Sequence, residues 1–181
     1  MAPITASLAP DLQVTEWLNT DRRWSLHDLR GKVVVVEAFQ MLCPGCVSQG
    51  LPQAGRVVEL FSPDQVAVLG LHCVFEHHEV QGRREALEAF LHEYRITFPV
   101  AMDEPSDQRI PKTMAAYQLR GTPTLLLIDQ RGRLRKKHFG VIPDLLLGAE
   151  IMSLVQESES VVEEPKEVSM SEGCGEGTCI A

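Results

Sequence analysis

A chain of 181 residues with 44% hydrophobic side chains carries enough apolar material for one domain of ordinary size that folds without disulfide staples. Its net charge is −8, and residues 157–181, with seven glutamates and one lysine, account for −6 of it; the remainder is nearly balanced and has no basic stripe, which excludes nucleic acid as a partner. No apolar run is long enough to cross a bilayer, and the first eight residues have neither the basic segment nor the apolar run of a secretory leader, so the expectation is a cytoplasmic protein with no membrane partner.

Residues 33–39, with four consecutive valines, predict a strand buried on both faces of a parallel or mixed sheet. The sequence Cys43-Pro44-Gly45-Cys46 follows directly, and Val57, Val58, Leu60 and Phe61 suit one face of a helix over residues 54–61. Pro52 is expected to kink or interrupt that helix. Residues 65–75 read as a second buried strand, and residues 83–94 as a helix with Leu87, Phe90, Leu91 and Tyr94 at three- and four-residue spacing. A short strand is expected at 98–102 and a short helix at 111–119, with proline in its first turn. Residues 124–128 and 133–139 predict a hairpin whose turn ends on Gly132, and residues 144–155 a closing amphipathic helix.

Alternating strands and helices followed by a hairpin and a last helix describe an α/β fold with a mixed central sheet flanked by helices, spanning residues 1–155. Beyond Gln156 the apolar period stops and Glu, Ser and Gly dominate, so residues 156–181 are expected to form a disordered acidic tail.

Five cysteines, at 43, 46, 73, 174 and 179, make an odd disulfide set, and a reducing compartment gives weight to catalytic or metal-binding roles. Two cysteines separated by two residues at a helix start can close a small disulfide ring, with the first sulfur facing unpaired backbone N–H groups. Those amides and the helix dipole favour its thiolate. Cys43 is therefore the candidate nucleophile, attacking a substrate disulfide, and Cys46 the resolving thiol. Half of a zinc centre is the alternative reading of such a pair, but structural zinc usually takes its four ligands from two of them.

Leu29-Arg30-Gly31-Lys32, the valine-rich strand, the CPGC and Gly121-Thr122-Pro123-Thr124 together resemble the TlpA/ResA-type thiol-disulfide oxidoreductases, thioredoxin-like redoxins of the AhpC/TSA-redoxin superfamily, over about residues 10–155. The resemblance implies a thioredoxin-like fold and an enzyme that uses no cofactor or metal beyond its own thiols. It implies that Glu37, six residues before Cys43, is a buried acid that moves the proton of Cys46; an edge-strand glutamate facing solvent is the other reading. It implies that Pro123 is a cis proline facing the disulfide, and that Thr122, Pro123, Pro44 and Gly45 contact the substrate. The implied partners are a disulfide-containing protein or small molecule and an upstream reductant. Leu42 departs from the tryptophan common before the first cysteine. Val36 and Gln40 occupy the Pro and Thr positions of the peroxiredoxin signature, which weakens the thiol peroxidase alternative.

His72, Cys73, His77 and His78 form a stretch dense in soft ligands. Strand alternation sends His72 and Cys73 to opposite faces, so a strand-end histidine cluster near the active face is expected rather than a metal site, with Cys73 a small buried hydrophobe. His138 is expected to be a cross-strand partner or solvated. Copper delivery through Cys43 and Cys46 is the alternative function from another class. Cys174 and Cys179 are a candidate second redox pair in a glycine-rich acidic segment, able to reach across roughly 25–30 Å as a coil; a tail without function is the competing reading.

Overall fold

The computed structural model describes residues 7–157. In chain order the elements are β1 (Val14–Leu18), β2 (Val33–Phe39), a π-helical turn (Cys46–Gly50), α1 (Leu51–Leu60), β3 (Val66–His72), α2 (His78–Gln81), α3 (Arg84–Glu93), β4 (Val100–Asp103), α4 (Lys112–Ala116), β5 (Thr124–Ile128), β6 (Leu134–Phe139) and α5 (Asp144–Gln156). The six strands form one mixed sheet in the order β1-β4-β3-β2-β5-β6. Pairing is parallel between β2 and β3 and between β3 and β4, and antiparallel at β1/β4, β2/β5 and β5/β6. The architecture is the thioredoxin-like one expected from sequence.

Every residue of β2 is buried because the strand lies between β3 and β5 with apolar layers on both faces. On one face Val33, Val35, Phe39, Leu125 and Leu127 pack with Ala54 and Val57 of α1, Leu87 and Leu91 of α3, and Leu147 and Ile151 of α5. On the other, Val34, Val36, Ala38, Leu126 and Ile128 pack with Leu26, Leu29, Met114, Tyr117 and Leu119. Two-sided burial explains why β2 and β5 read as unbroken apolar runs rather than as alternating ones.

The remaining departures from expectation have local causes. Strand β1 has no apolar run because it is an edge strand, only partly buried, with a register irregularity between Val14 and Glu16. Strand β3 ends at His72, not residue 75; Cys73 still donates its N–H to the Phe39 carbonyl at 2.9 Å, but beyond it the neighbouring strand is over. The helix expected over 111–119 is confined to Lys112–Ala116 and followed by Gln118 in a left-handed conformation, φ 51°. Pro52 acts through the turn before it: Leu51 N–H donates to Cys46 O, one residue further back than in an α-helix. A proline ring crowds the preceding helical turn and offers no N–H, and the wider π turn relieves both problems. The hairpin turn closes through Gly132 at φ +72°, whose N–H donates to Asp129 O at 2.7 Å. The expected tail lies outside the described residues apart from its first two positions, Gln156 ending α5 and Glu157 capping it.

The pairing brings three segments together at one end of the sheet. Phe39 pairs with His72, and Ala38 with Thr124, so the chain leaving β2, the chain leaving β3 and the chain entering β5 converge.

Candidate active site

Cys43 and Cys46 stand at that convergence. Residues 40–43 turn out of β2, with Cys43 N–H donating to Gln40 O at 3.2 Å, and the helical path begins at Pro44. Cys43 is partly exposed and Cys46 fully buried. Cys46 N–H donates to Cys43 Sγ at 3.3 Å, and the Cys43 thiol donates to Thr122 O at 3.5 Å. The first sulfur thus receives an amide of the helical turn. Burial and the neighbouring Cys43 push the Cys46 thiol up to about 12.

The Thr122–Pro123 peptide bond is cis. Pro123 lies over the start of the turn, its Cδ 3.4 Å from the position a Cβ on Gly45 would take. Pro44 is exposed, and Gly45, Thr122 and Pro123 are half-buried.

Glu37 projects from β2 on the face that carries Val35, Phe39 and Cys46. It is 1% exposed, and its Oε1 has no hydrogen-bond partner. Burial raises its carboxyl to about 8. The central place of β2 removes the alternative of an edge-strand glutamate facing water. A Cβ on Gly50 would overlap Glu37 Oε1 and come within 3.1 Å of Pro123 Cβ. Gly50 therefore lets the carboxyl lie against the π turn beside the cis proline, a role not anticipated from sequence. A glycine inside a helix, a costly choice on propensity alone, was the available signal.

A groove of about 330 Å³ runs past Cys43, lined on one side by Gly121 and Thr122 and on the other by Phe75, Glu76, His77 and Gln81. A larger cavity, about 400 Å³, lies at the other end of the strands among Trp24, Phe61, Val66 and Phe98, away from both cysteines.

The histidine-rich stretch does not form the expected cluster. His72 is wholly buried, its ring 5.3 Å from that of Phe39 and neither nitrogen hydrogen-bonded; burial lowers its pKa to about 4, so it is a neutral core residue. His77 and His78 are exposed. Among the described residues no three His, Cys, Asp or Glu side chains are placed to hold a metal ion. Cys73 is buried on the opposite face from His72, as alternation requires, and burial raises its thiol well above the ordinary range. His138 finds its partner off the sheet, with Nε2 2.7 Å from Glu150 Oε2 on α5. Cys174 and Cys179 lie outside the described residues.

Three comparisons bear on this geometry. The protein is 31% identical over 136 residues to Protein DipZ of Mycobacterium tuberculosis, covering 73% of this chain and 18% of that protein, so the chain spans about a fifth of the length of that relative. It is 25% identical over 135 residues to the thiol-disulfide oxidoreductase ResA of Geobacillus kaustophilus, covering 75% of this chain and 69% of the other. The solved structure of a thiol-disulfide isomerase from Corynebacterium glutamicum superposes with a TM-score of 0.79 at 51% identity, over 83% of this chain and 97% of that one. The AhpC/TSA family profile matches residues 5–137, and with that match spanning most of the sheet and both cysteines, the chain belongs to the AhpC/TSA family.

Proposed function

We propose that the protein is an oxidoreductase that reduces or exchanges disulfides in a protein or small-molecule partner, using Cys43 as nucleophile and Cys46 as resolving thiol. The observation that carries this reading is the 3.3 Å hydrogen bond from Cys46 N–H to a partly exposed Cys43 Sγ opposite cis Pro123. The named activities of ResA and of the C. glutamicum isomerase agree with it.

In the first step the Cys43 thiolate attacks one sulfur of the substrate disulfide. A Cys43–substrate S–S bond forms, the substrate bond breaks, and the other substrate sulfur leaves as a thiolate. In the second step Cys46 attacks Cys43 Sγ, releasing the remaining substrate thiolate and closing the Cys43–Cys46 disulfide. A thiol at about 12 is almost wholly protonated near neutral pH, so this step needs a base. Glu37, buried on the same face and raised to about 8, is the group proposed to accept that proton and to return it when an upstream dithiol reduces the pair. Thr122 and Pro123, with Pro44 and Gly45, frame the bound substrate. Cys174 and Cys179 are proposed, from sequence, as a second pair that exchanges with the first. Val36 and Gln40, at the Pro and Thr positions of the peroxiredoxin signature, stand against peroxide reduction.

The test is insulin reduction with dithiothreitol as the reductant. Cys43→Ser is expected to abolish turnover above the uncatalysed rate, and Cys46→Ser to accumulate a covalent protein–substrate disulfide visible by mass spectrometry. Turnover undiminished in Cys43→Ser overturns the reading.

A further inference from the structure

Between the cysteines and the far wall of the groove lies a buried amide that the reaction scheme does not use. Gln81, the last residue of the four-residue helix α2, is 1% exposed, although it follows five exposed residues at 76–80. Its side chain is fully engaged. Oε1 accepts the N–H of Leu42 at 3.0 Å, while Nε2 donates to Glu76 O at 2.9 Å and to Gln40 Oε1 at 3.2 Å. The orientation of the amide follows from its partners, since Leu42 N–H can only donate and Glu76 O can only accept. Gln40 is itself buried, and its Oε1 also accepts from Phe75 N–H at 3.4 Å.

Leu42 precedes the nucleophile, so the peptide entering Cys43 is held at Leu42 N by Gln81 and at Cys43 N by Gln40 O. Phe75, Glu76 and His77 form the wall of the groove opposite Thr122, and the same two glutamines hold that wall through Phe75 N and Glu76 O. His77 at φ 50° lies in a region unfavourable to side-chain-bearing residues, which the surrounding bonds hold in place. A pair of buried amides therefore fixes the distance between the nucleophile's loop and the wall facing it. A buried network of this kind is rigid when every member is paired, as Gln81 is.

We propose that Gln81, acting with Gln40, is a positioning residue that sets the width of the groove beside Cys43 and so favours an extended polypeptide disulfide, which must lie along that groove, over a small disulfide that needs only the sulfur. The inference rests on the function proposed above. Gln81 touches neither Cys43 nor Cys46, and its effect is on docking rather than on thiol chemistry.

Kinetics of the reduced full-length protein, measured well below its melting temperature, test this. In Gln81→Leu, kcat/KM toward insulin is expected to fall about tenfold, the rate equivalent of one net hydrogen bond. Reaction with the small disulfide 5,5′-dithiobis(2-nitrobenzoate) and alkylation of Cys43 by iodoacetamide should change less than about threefold, within which a loss is below one such bond. A purely structural role would lower the melting temperature and leave the ratio of the two substrates untouched. The Gln40→Leu/Gln81→Leu double variant should lose no more than Gln81→Leu alone, because one brace is broken once. Should Gln81→Leu fail to fold, Gln81→Met keeps the chain length without the amide and gives the same readout. Equal losses on insulin and the small disulfide, no loss on either, or additive losses in the double variant overturn the brace. The underlying function falls separately, if the unaltered protein reduces neither substrate.

Discussion

A carboxyl enclosed at the centre of a sheet, with one oxygen unpaired, is costly to ionise. Glu37 meets that description, and its pKa in the fold, about 8 against an ordinary 4.5, makes it a determinant of stability as well as a candidate base. The unfolded chain releases this proton at lower pH than the folded one does, so the contribution of Glu37 to stability is fully present below about 4.5 and is lost as pH rises toward 8. At about 1.4 kcal/mol per unit the loss is at most about 5 kcal/mol. Glu37→Gln, which cannot ionise, should therefore be more stable than the parent at pH 9 and nearly equal to it at pH 4, by urea unfolding of the reduced protein. An advantage of the same size at both pH values contradicts the burial of an ionisable Glu37. The core histidine works at the other end of the scale: His72 is neutral in the fold and lowered to about 4, so it withdraws stability as pH falls from its ordinary 6.5.

At the level of elements, the π turn between Cys46 and Gly50 joins the chemistry to the helix behind it. Pro52 requires the wider turn, and Gly50 supplies the space in which the Glu37 carboxyl lies against it. Gly50→Ala puts a methyl group into that space and is expected to cost about 1–3 kcal/mol, the range of an overpacked core position. Glu37→Ala removes the colliding atoms, so the cost of Gly50→Ala should shrink to less than half in the Glu37→Ala background. A denaturant-unfolding double-mutant cycle measures this coupling; additive effects would show that the two residues do not share the space. The short helix α2 acts on the same end of the sheet, because its one buried residue, Gln81, accepts the N–H of Leu42 in the loop before Cys43.

On the scale of the whole molecule, the described buried apolar residues run from Leu18 to Val155. A chain ending at Glu157 should keep its melting temperature to within about 2 °C, well under the shift that 1 kcal/mol produces in a domain of this size, as read by circular dichroism. The same variant measures the tail pair: a relay through Cys174 and Cys179 requires its insulin turnover to fall, and turnover equal to that of the full chain rejects the relay. What the sequence determined by itself is local or periodic. The unbroken apolar runs at residues 33–36 and 125–128 mark strands covered on both sides, and Cys43-Pro44-Gly45-Cys46 carries the proposed chemistry in its spacing, because two thiols three positions apart at a helix start can close a small ring. Tertiary structure alone decided that Glu37 is central rather than at an edge, that His72 leaves its sequence neighbours for the core, and that Thr122, Gln81 and Cys43 line one groove. Those outcomes depend on which strands pair across long stretches of chain, and a single glutamine or glutamate has no periodic signature from which that pairing can be read.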